Sequence, residues 1–199
     1  MASRAISSYL PAAYGNCYDR AIDSATVGTR GSRAIFSHER RSARDGIHAG
    51  VAFTSRKRRV GDHIEAHFRE HGFGLCAVEL RQNHSFVGFI GLAVPKFQAS
   101  FNPCVEIGWR LSPEYWGQGL ATEGAREVVR YAFGDLGLKD LVSFTIPGNG
   151  RSRLVMEKLG MTHNPADDFD HPNLPQEHPL RRHVLYRLRC TEFESALFR

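Results

Sequence analysis

Residues Val105 to Gly124, VEIGWRLSPEYWGQGLATEG, change hydrophobic period partway along, and that change constrains the fold more than any other feature of the chain. Val105, Ile107 and Trp109 alternate with Glu106, Gly108 and Arg110, a period of two that predicts a strand, and Ser112-Pro113 stops it. From Gly119 onward the spacing is helical. Ala121, Ala125, Val128, Val129, Ala132, Phe133 and Leu136 fall on one face, with Glu123, Arg126, Glu127 and Arg130 elsewhere. Gly117 and Gly119 therefore lie where a strand passes into a helix. Lacking β-carbons, they let backbone N–H groups close around an anion, and the unpaired first-turn donors and the helix dipole point the same way.

Several nucleotide folds use a glycine turn of this kind, and the details separate them. The P-loop pattern GxxxxGK[ST] needs a lysine after its last glycine, and none lies between Lys96 and Lys139. The dinucleotide fingerprint GxGxxG fails as well, because Gly117-Gln118-Gly119 is followed by Leu120-Ala121-Thr122 without a third glycine. Trp116 to Ala121, WGQGLA, instead resembles the [QR]-x-x-G-x-[GA] loop of the GNAT superfamily of N-acetyltransferases. The resemblance covers about Gly61 to Arg189 and is closest to the Rim-type branch, which acetylates ribosomal-protein N-termini. EIGWRL, WGQGLATEGA and NGRSRLVMEKLGM stand in that branch's order and spacing. Trp116 departs from the Gln or Arg of most of the superfamily, as the Rim-type branch commonly does.

With 199 residues and 42% hydrophobic content, the chain is long enough to bury the core of one domain. No apolar run reaches the ~18 residues of a membrane span, and no signal core follows the N-terminus, so a cytoplasmic protein is expected. Cys17, Cys76, Cys104 and Cys190 are scattered without CxxC or zinc spacing, so neither a disulfide framework nor a metal is expected. The net charge of +5 is unevenly spread: residues 1–60 hold 11 Lys and Arg against 4 Asp and Glu, and residues 61–199 hold 15 against 17. The densest basic runs, Arg40-Arg41 and Arg56-Lys57-Arg58-Arg59, lack interleaved aromatics, which argues against a nucleic-acid platform.

Up to about Val60 there is neither a sustained helical stripe nor an alternating strand, only apolar islands such as Ala34-Ile35-Phe36. Rim-type relatives open with a strand and helices that wall the acceptor site. Residues 1–60 are therefore expected to be a poorly patterned segment, either a divergent arm or a non-native opening translated from a shifted frame. The resemblance implies an acetyltransferase domain over residues 61–190, with 191–199 expected to be a tail. Within the domain, DHIEAHFREHG predicts a helix ended by Gly72, and strands follow at Phe73–Leu80 and Phe86–Val94. Later elements are a strand over Asp140–Ile146, a helix over about Arg151–Leu159 and a last strand over His183–Leu188. The expected class is α/β (α+β): a mostly antiparallel sheet flanked by helices.

The resemblance implies acetyl-CoA as co-substrate, with Trp116, Gly117, Gln118, Gly119, Leu120, Ala121 and Thr122 around its diphosphate. Main-chain groups of Trp109, Arg110 and Leu111 would bond the pantetheine arm where the strand splays from its neighbour, and Gly108 suits a bulge or close approach there. Glu106 is the candidate general base, with an ion pair to Arg110 as its structural alternative. Asn149 and Ser152, at N-x-x-S spacing, either cap a helix or contact the arm and the sulfur respectively. Many members of the family protonate the thiolate with a tyrosine on this helix, but none occurs between Tyr131 and Tyr186, and the resemblance then leaves that role to Ser152 or water. The loop DFDHPNLPQEHPLRRH, with Asp168, Asp170, His171, His178 and His183, is expected to form loop hydrogen bonds and to flank the acceptor. The resemblance implies a small-molecule amine or a protein N-terminus as acceptor, and a monomer or homodimer is expected. The alternative reading is a CoA-binding protein with weak or no turnover.

Overall fold

The computed structural model of the protein describes residues 6–9, 55–80 and 82–197. The chain divides into two compact units, Met1–Phe89 and Ile90–Arg199, with one strand running across the division.

The first unit holds β1 (Ile6–Tyr9), α1 (Ser55–His71), β2 (Leu75–Leu80) and the opening of β3 (Phe86–Ala93). β1 lies antiparallel to β2, with Ile6 opposite Leu80 and Tyr9 opposite Ala77. A tight turn leads from β2 to β3: the Leu80 N–H donates to the Ser85 carbonyl at 2.9 Å, and His84 takes a positive φ of 54°. Cys76 and Val78 alternate into the core. α1 stops at Gly72, whose φ of +76° ends the helical run. Gly74 is held by close packing, since a β-carbon there would sit 2.6 Å from the Phe68 ring.

Two expectations change here. A strand does precede Val60, because the four residues ISSY take their pairing from the edge of β2 and are too short to show a period. The helix expected from Asp62 starts at Ser55, so the boundary between residues 60 and 61 falls inside α1. Its first turn holds the basic run Arg56 to Arg59, which carries no apolar stripe. The remainder of residues 1–60, and with it the proposed non-native opening, lies outside the described residues.

The second unit continues β3 and adds β4 (Glu106–Leu111), α2 (Leu120–Gly134), β5 (Asp140–Thr145), α3 (Gly150–Lys158), β6 (Thr162–His163), β7 (Phe169–Asp170), β8 (Arg182–Arg189) and α4 (Cys190–Leu197). Its strands run in the order β3-β4-β5-β8-β6, with β7 paired to β8 alone. β5 and β8 are antiparallel over six register pairs, from Asp140 opposite Arg189 to Thr145 opposite Val184. β4 and β5 are parallel and share one register pair, Glu106 with Val142, beside a 2.9 Å bond from the Val142 N–H to the Val105 carbonyl. The two strands are not paired beyond that point.

α2 packs on β4, α3 on β5 and α4 on β8. Ile107, Leu120, Leu141, Leu185 and Leu188 are fully enclosed between them. This is the mixed sheet flanked by helices that the family resemblance implies. The expected tail is a helix instead, anchored by buried Phe193, whose ring centre lies 5.8 Å from that of Phe133. None of the described helices is long and apolar enough to cross a membrane.

Candidate active site

β4 ends at Leu111, and a short turn of 3-10 helix, Pro113–Tyr115, carries the chain to the glycine loop. Gly117 and Gly119 both adopt left-handed backbone, with φ of 72° and 82°. Gly119 is the N-cap of α2 and no side chain caps the helix there. The N–H groups of Leu120, Ala121 and Thr122 therefore lack both an intrahelical acceptor and a capping side chain. A β-carbon built on either glycine meets nothing within 4 Å, so the loop is open beside both glycines. The backbone is arranged to receive an anion, and the residues fit a diphosphate. Gln118 turns its side chain back to donate to the Glu114 carbonyl at 2.7 Å, leaving only its main chain toward the loop.

The helix behind the loop buries Leu120, Thr122, Ala125, Val128, Val129, Ala132 and Phe133, whereas Ala121 and Leu136 of the expected face are only partly buried. Glu123 differs from expectation. It is partly buried, one carboxylate oxygen has no hydrogen-bond partner among the described residues, and burial followed by the Glu127 charge pushes its pKa up to about 7. Because the folded pKa exceeds the unfolded one, the folded state binds the proton more tightly, and stability falls as pH rises from about 4.5 through about 7. Glu123→Gln is expected to raise Tm by a few degrees at pH 8 and to leave it unchanged at pH 4, as read by thermal melts at both values.

On the other side of the loop, Glu106 occupies the single register pair between β4 and β5. Its carboxylate lies 3.8 Å from where a Gly108 β-carbon would sit, so the lack of a side chain at Gly108 leaves room beside it. Among the described residues no ion pair reaches Glu106, and Arg110 is exposed. Burial alone raises its pKa to about 7. The same burial and the Glu106 charge push the Cys104 thiol to about 11, so that neighbour is protonated at neutral pH. β4 runs unbroken through Gly108, and the expected opening takes the form of lost pairing with β5. Trp109, Arg110 and Leu111 lie on the stretch of β4 that β5 leaves unpaired.

Beyond β5, Asn149 is the N-cap of α3: its Oδ1 accepts from the Ser152 N–H at 3.2 Å. That bond fixes the amide orientation, and its Nδ2 then donates to Thr145 Oγ1 at 3.0 Å and to Ser152 Oγ at 3.1 Å. The capping reading of Asn149 is thus realised, and Ser152 is held by it. Two further residues in this region carry no sequence signal. Thr145 closes the Asn149 network, and Arg151 lies 4.7 Å over the ring of Trp116.

The His-rich loop is ordered by its own bonds. Asp168 pairs with His163 at 2.7 Å, Asp170 lies near Arg181 and Arg182, and the Leu180 N–H donates to His178 Nδ1 at 3.1 Å. His171 and His183 pack with Phe97, Phe144 and Phe169, and burial together with His183 lowers the His171 pKa.

Comparison with known proteins matches residues 37–162 to the family described as "Acetyltransferase (GNAT) domain". A curated relative from Aspergillus fumigatus, named FsC-acetyl coenzyme A-N(2)-transacetylase, is 55% identical over 58 residues, 29% of this chain and 25% of that protein. The chain spans between 25% and 52% of the length of the first curated relatives that it matches. Among solved structures, an acetyltransferase from Agrobacterium tumefaciens is 28% identical with a TM-score of 0.52, covering 70% of this chain and 74% of that one. A ribosomal-protein-S5-alanine acetyltransferase from Vibrio fischeri, 18% identical, shares the fold with a TM-score of 0.53 over 69% of this chain and 72% of its own. The family match reaches from ahead of α1 to β6 and takes in the glycine loop, the parted strands and the capped helix, and on it this chain belongs to the GNAT acetyltransferase family.

Proposed function

We propose that the chain is an acetyl-CoA-dependent N-acetyltransferase that acts on a primary amine, either a protein N-terminus or a small molecule. The observation that carries this reading is the uncapped N-terminus of α2, where Gly117 and Gly119 hold left-handed backbone with open space beside them. Family membership and the names of its relatives, which speak of coenzyme A, an N(2) position and a ribosomal-protein alanine, support the amine as acceptor.

The thioester supplies an activated acetyl group, and the chain's own residues supply the rest. Amides from Gly117 to Thr122 hold the diphosphate, and the unpaired edge of β4 at Trp109, Arg110 and Leu111 holds the arm. Glu106, with a pKa of about 7, takes the proton from the incoming ammonium directly or through water. Ser152 Oγ accepts from Asn149, which leaves the hydroxyl proton to donate to the departing sulfur. Tyr186 is committed elsewhere, since its hydroxyl accepts from Arg153 at 3.2 Å and donates to Glu157 at 3.1 Å.

The test has two arms. Acetyl-CoA is expected to raise Tm by several degrees at saturating concentration, and thiol release is expected with at least one member of a panel of small amines and peptides. An absence of stabilisation overturns the cradle. Stabilisation without release on any acceptor replaces the transferase with a CoA-binding protein.

A further inference from the structure

We propose that Arg151 is the cation that recognises the phosphates at the nucleotide end of CoA, and that Trp116 is the positioning residue that holds it beside the cradle. This rests on the reading of the glycine loop given above. Trp116 is 47% exposed, unusual for so large an aromatic side chain, yet it is not loose. Its indole N–H donates to the Leu111 carbonyl at 2.7 Å, which fixes the ring at the end of β4. Over that ring stands the Arg151 guanidinium, 4.7 Å from the centroid, within the range of a cation–π contact. Trp116 immediately precedes Gly117, so a cation held on its face stands over the residue that opens the glycine loop.

Three features single out Arg151. First, the other arginines of α2 and α3 are engaged: Arg153 with Tyr186 and the Pro147 carbonyl, Arg126 with the Lys158 carbonyl, and Arg130 with Glu127. Arg151 is exposed, and among the described residues no carboxylate pairs with it. Second, it stands in the first turn of α3, where no acidic residue occurs and where the helix dipole opposes a positive charge. A local rule broken at a site next to an anion cradle is explained when an anion shares the position. Third, a planar guanidinium stacked on an aromatic face keeps its N–H edge free for phosphate oxygens, which a flexible ammonium does not do.

CoA offers two such groups, the diphosphate and the 3′-phosphate, and the experiment separates them. Binding of CoA and dephospho-CoA is measured by calorimetry on the full chain, alongside turnover with an acetyl-pantetheine thioester, which carries no nucleotide. Arg151→Gln is expected to weaken CoA about tenfold or more and to leave turnover of the pantetheine thioester unchanged. If dephospho-CoA binding by Arg151→Gln matches wild type, the arginine reads the 3′-phosphate; if it weakens equally, the arginine reads the diphosphate. Trp116→Leu is expected to reproduce the loss, and Trp116→Phe, which keeps an aromatic face, to restore most of it. Arg151→Gln binding both nucleotides as wild type does, or losing the pantetheine thioester equally, overturns the proposal. Wild-type protein that fails to bind CoA overturns the cradle itself, so the two failures are distinct.

Discussion

Gly119→Val is expected to lower affinity for acetyl-CoA about 100-fold or more while the protein stays folded. Gly119 sits at φ 82° and ψ −10°, a left-handed conformation that a β-branched residue adopts only at a cost of about 1–3 kcal/mol. Valine relieves that strain by moving φ toward negative values, and the N–H groups of residues 119–122 then turn away from a common point. Two charge-assisted bonds at about 1.5 kcal/mol each amount to about 3 kcal/mol, or roughly 100-fold. A β-carbon at residue 119 meets nothing within 4 Å, so the cost of the substitution lies in the backbone rather than in a clash at that atom. Gly119→Asn is the informative companion, because asparagine enters left-handed backbone readily. It is expected to keep affinity within about tenfold of wild type if backbone direction is what matters. Calorimetric titration of the three proteins decides. Valine without effect removes the loop from cofactor binding, and asparagine as damaging as valine shows that the ligand needs the space rather than the amides.

The same loop shows why this part of the chain was legible. A strand period that gives way to a helical one at two glycines is a local signal, and local backbone geometry follows from it. β4, α2, β5, α3 and β8 each carry enough residues to display their period, and the structure has all five. What the sequence concealed depends on partners distant along the chain. β1 and the two-residue strands β6 and β7 exist through the neighbours they pair with, at β2 and β8. α1 reaches back through Arg56 to Arg59, where charge masks the helical period, and α4 is too short to announce itself beyond the anchor Phe193. Arg151 reaches Trp116 across 35 positions of chain, so no spacing rule links them. Helical spacing puts Glu123 off the apolar face of α2, yet packing buries one of its oxygens.

Glu106→Gln carries the other large effect, and it moves activity and stability in opposite directions. The carboxyl of Glu106 is raised to about 7 by burial alone, with no charged partner among the described residues to offset it. Its folded pKa lies above its unfolded value, so the stability tied to its proton is full below about pH 4.5 and is lost as pH rises through about 7. Holding the ionised form in that position costs on the order of 3 kcal/mol above pH 8. Glutamine keeps the shape without the charge, and Glu106→Gln is expected to melt higher than wild type at pH 8 and equally at pH 4. Activity runs the other way. A group of pKa near 7 that must be ionised gives a wild-type kcat/KM that rises with pH and levels off above that value. The substituted enzyme is expected to lose about 100-fold in kcat at neutral pH, with less loss at high pH, where the amine arrives already deprotonated, and with unchanged affinity for acetyl-CoA. Higher stability with lower kcat is the signature of a group strained into its position for chemistry, which a structural ion pair does not give. An unchanged pH–rate profile removes Glu106 from proton transfer, and a lower Tm at pH 8 shows that its carboxylate has a partner.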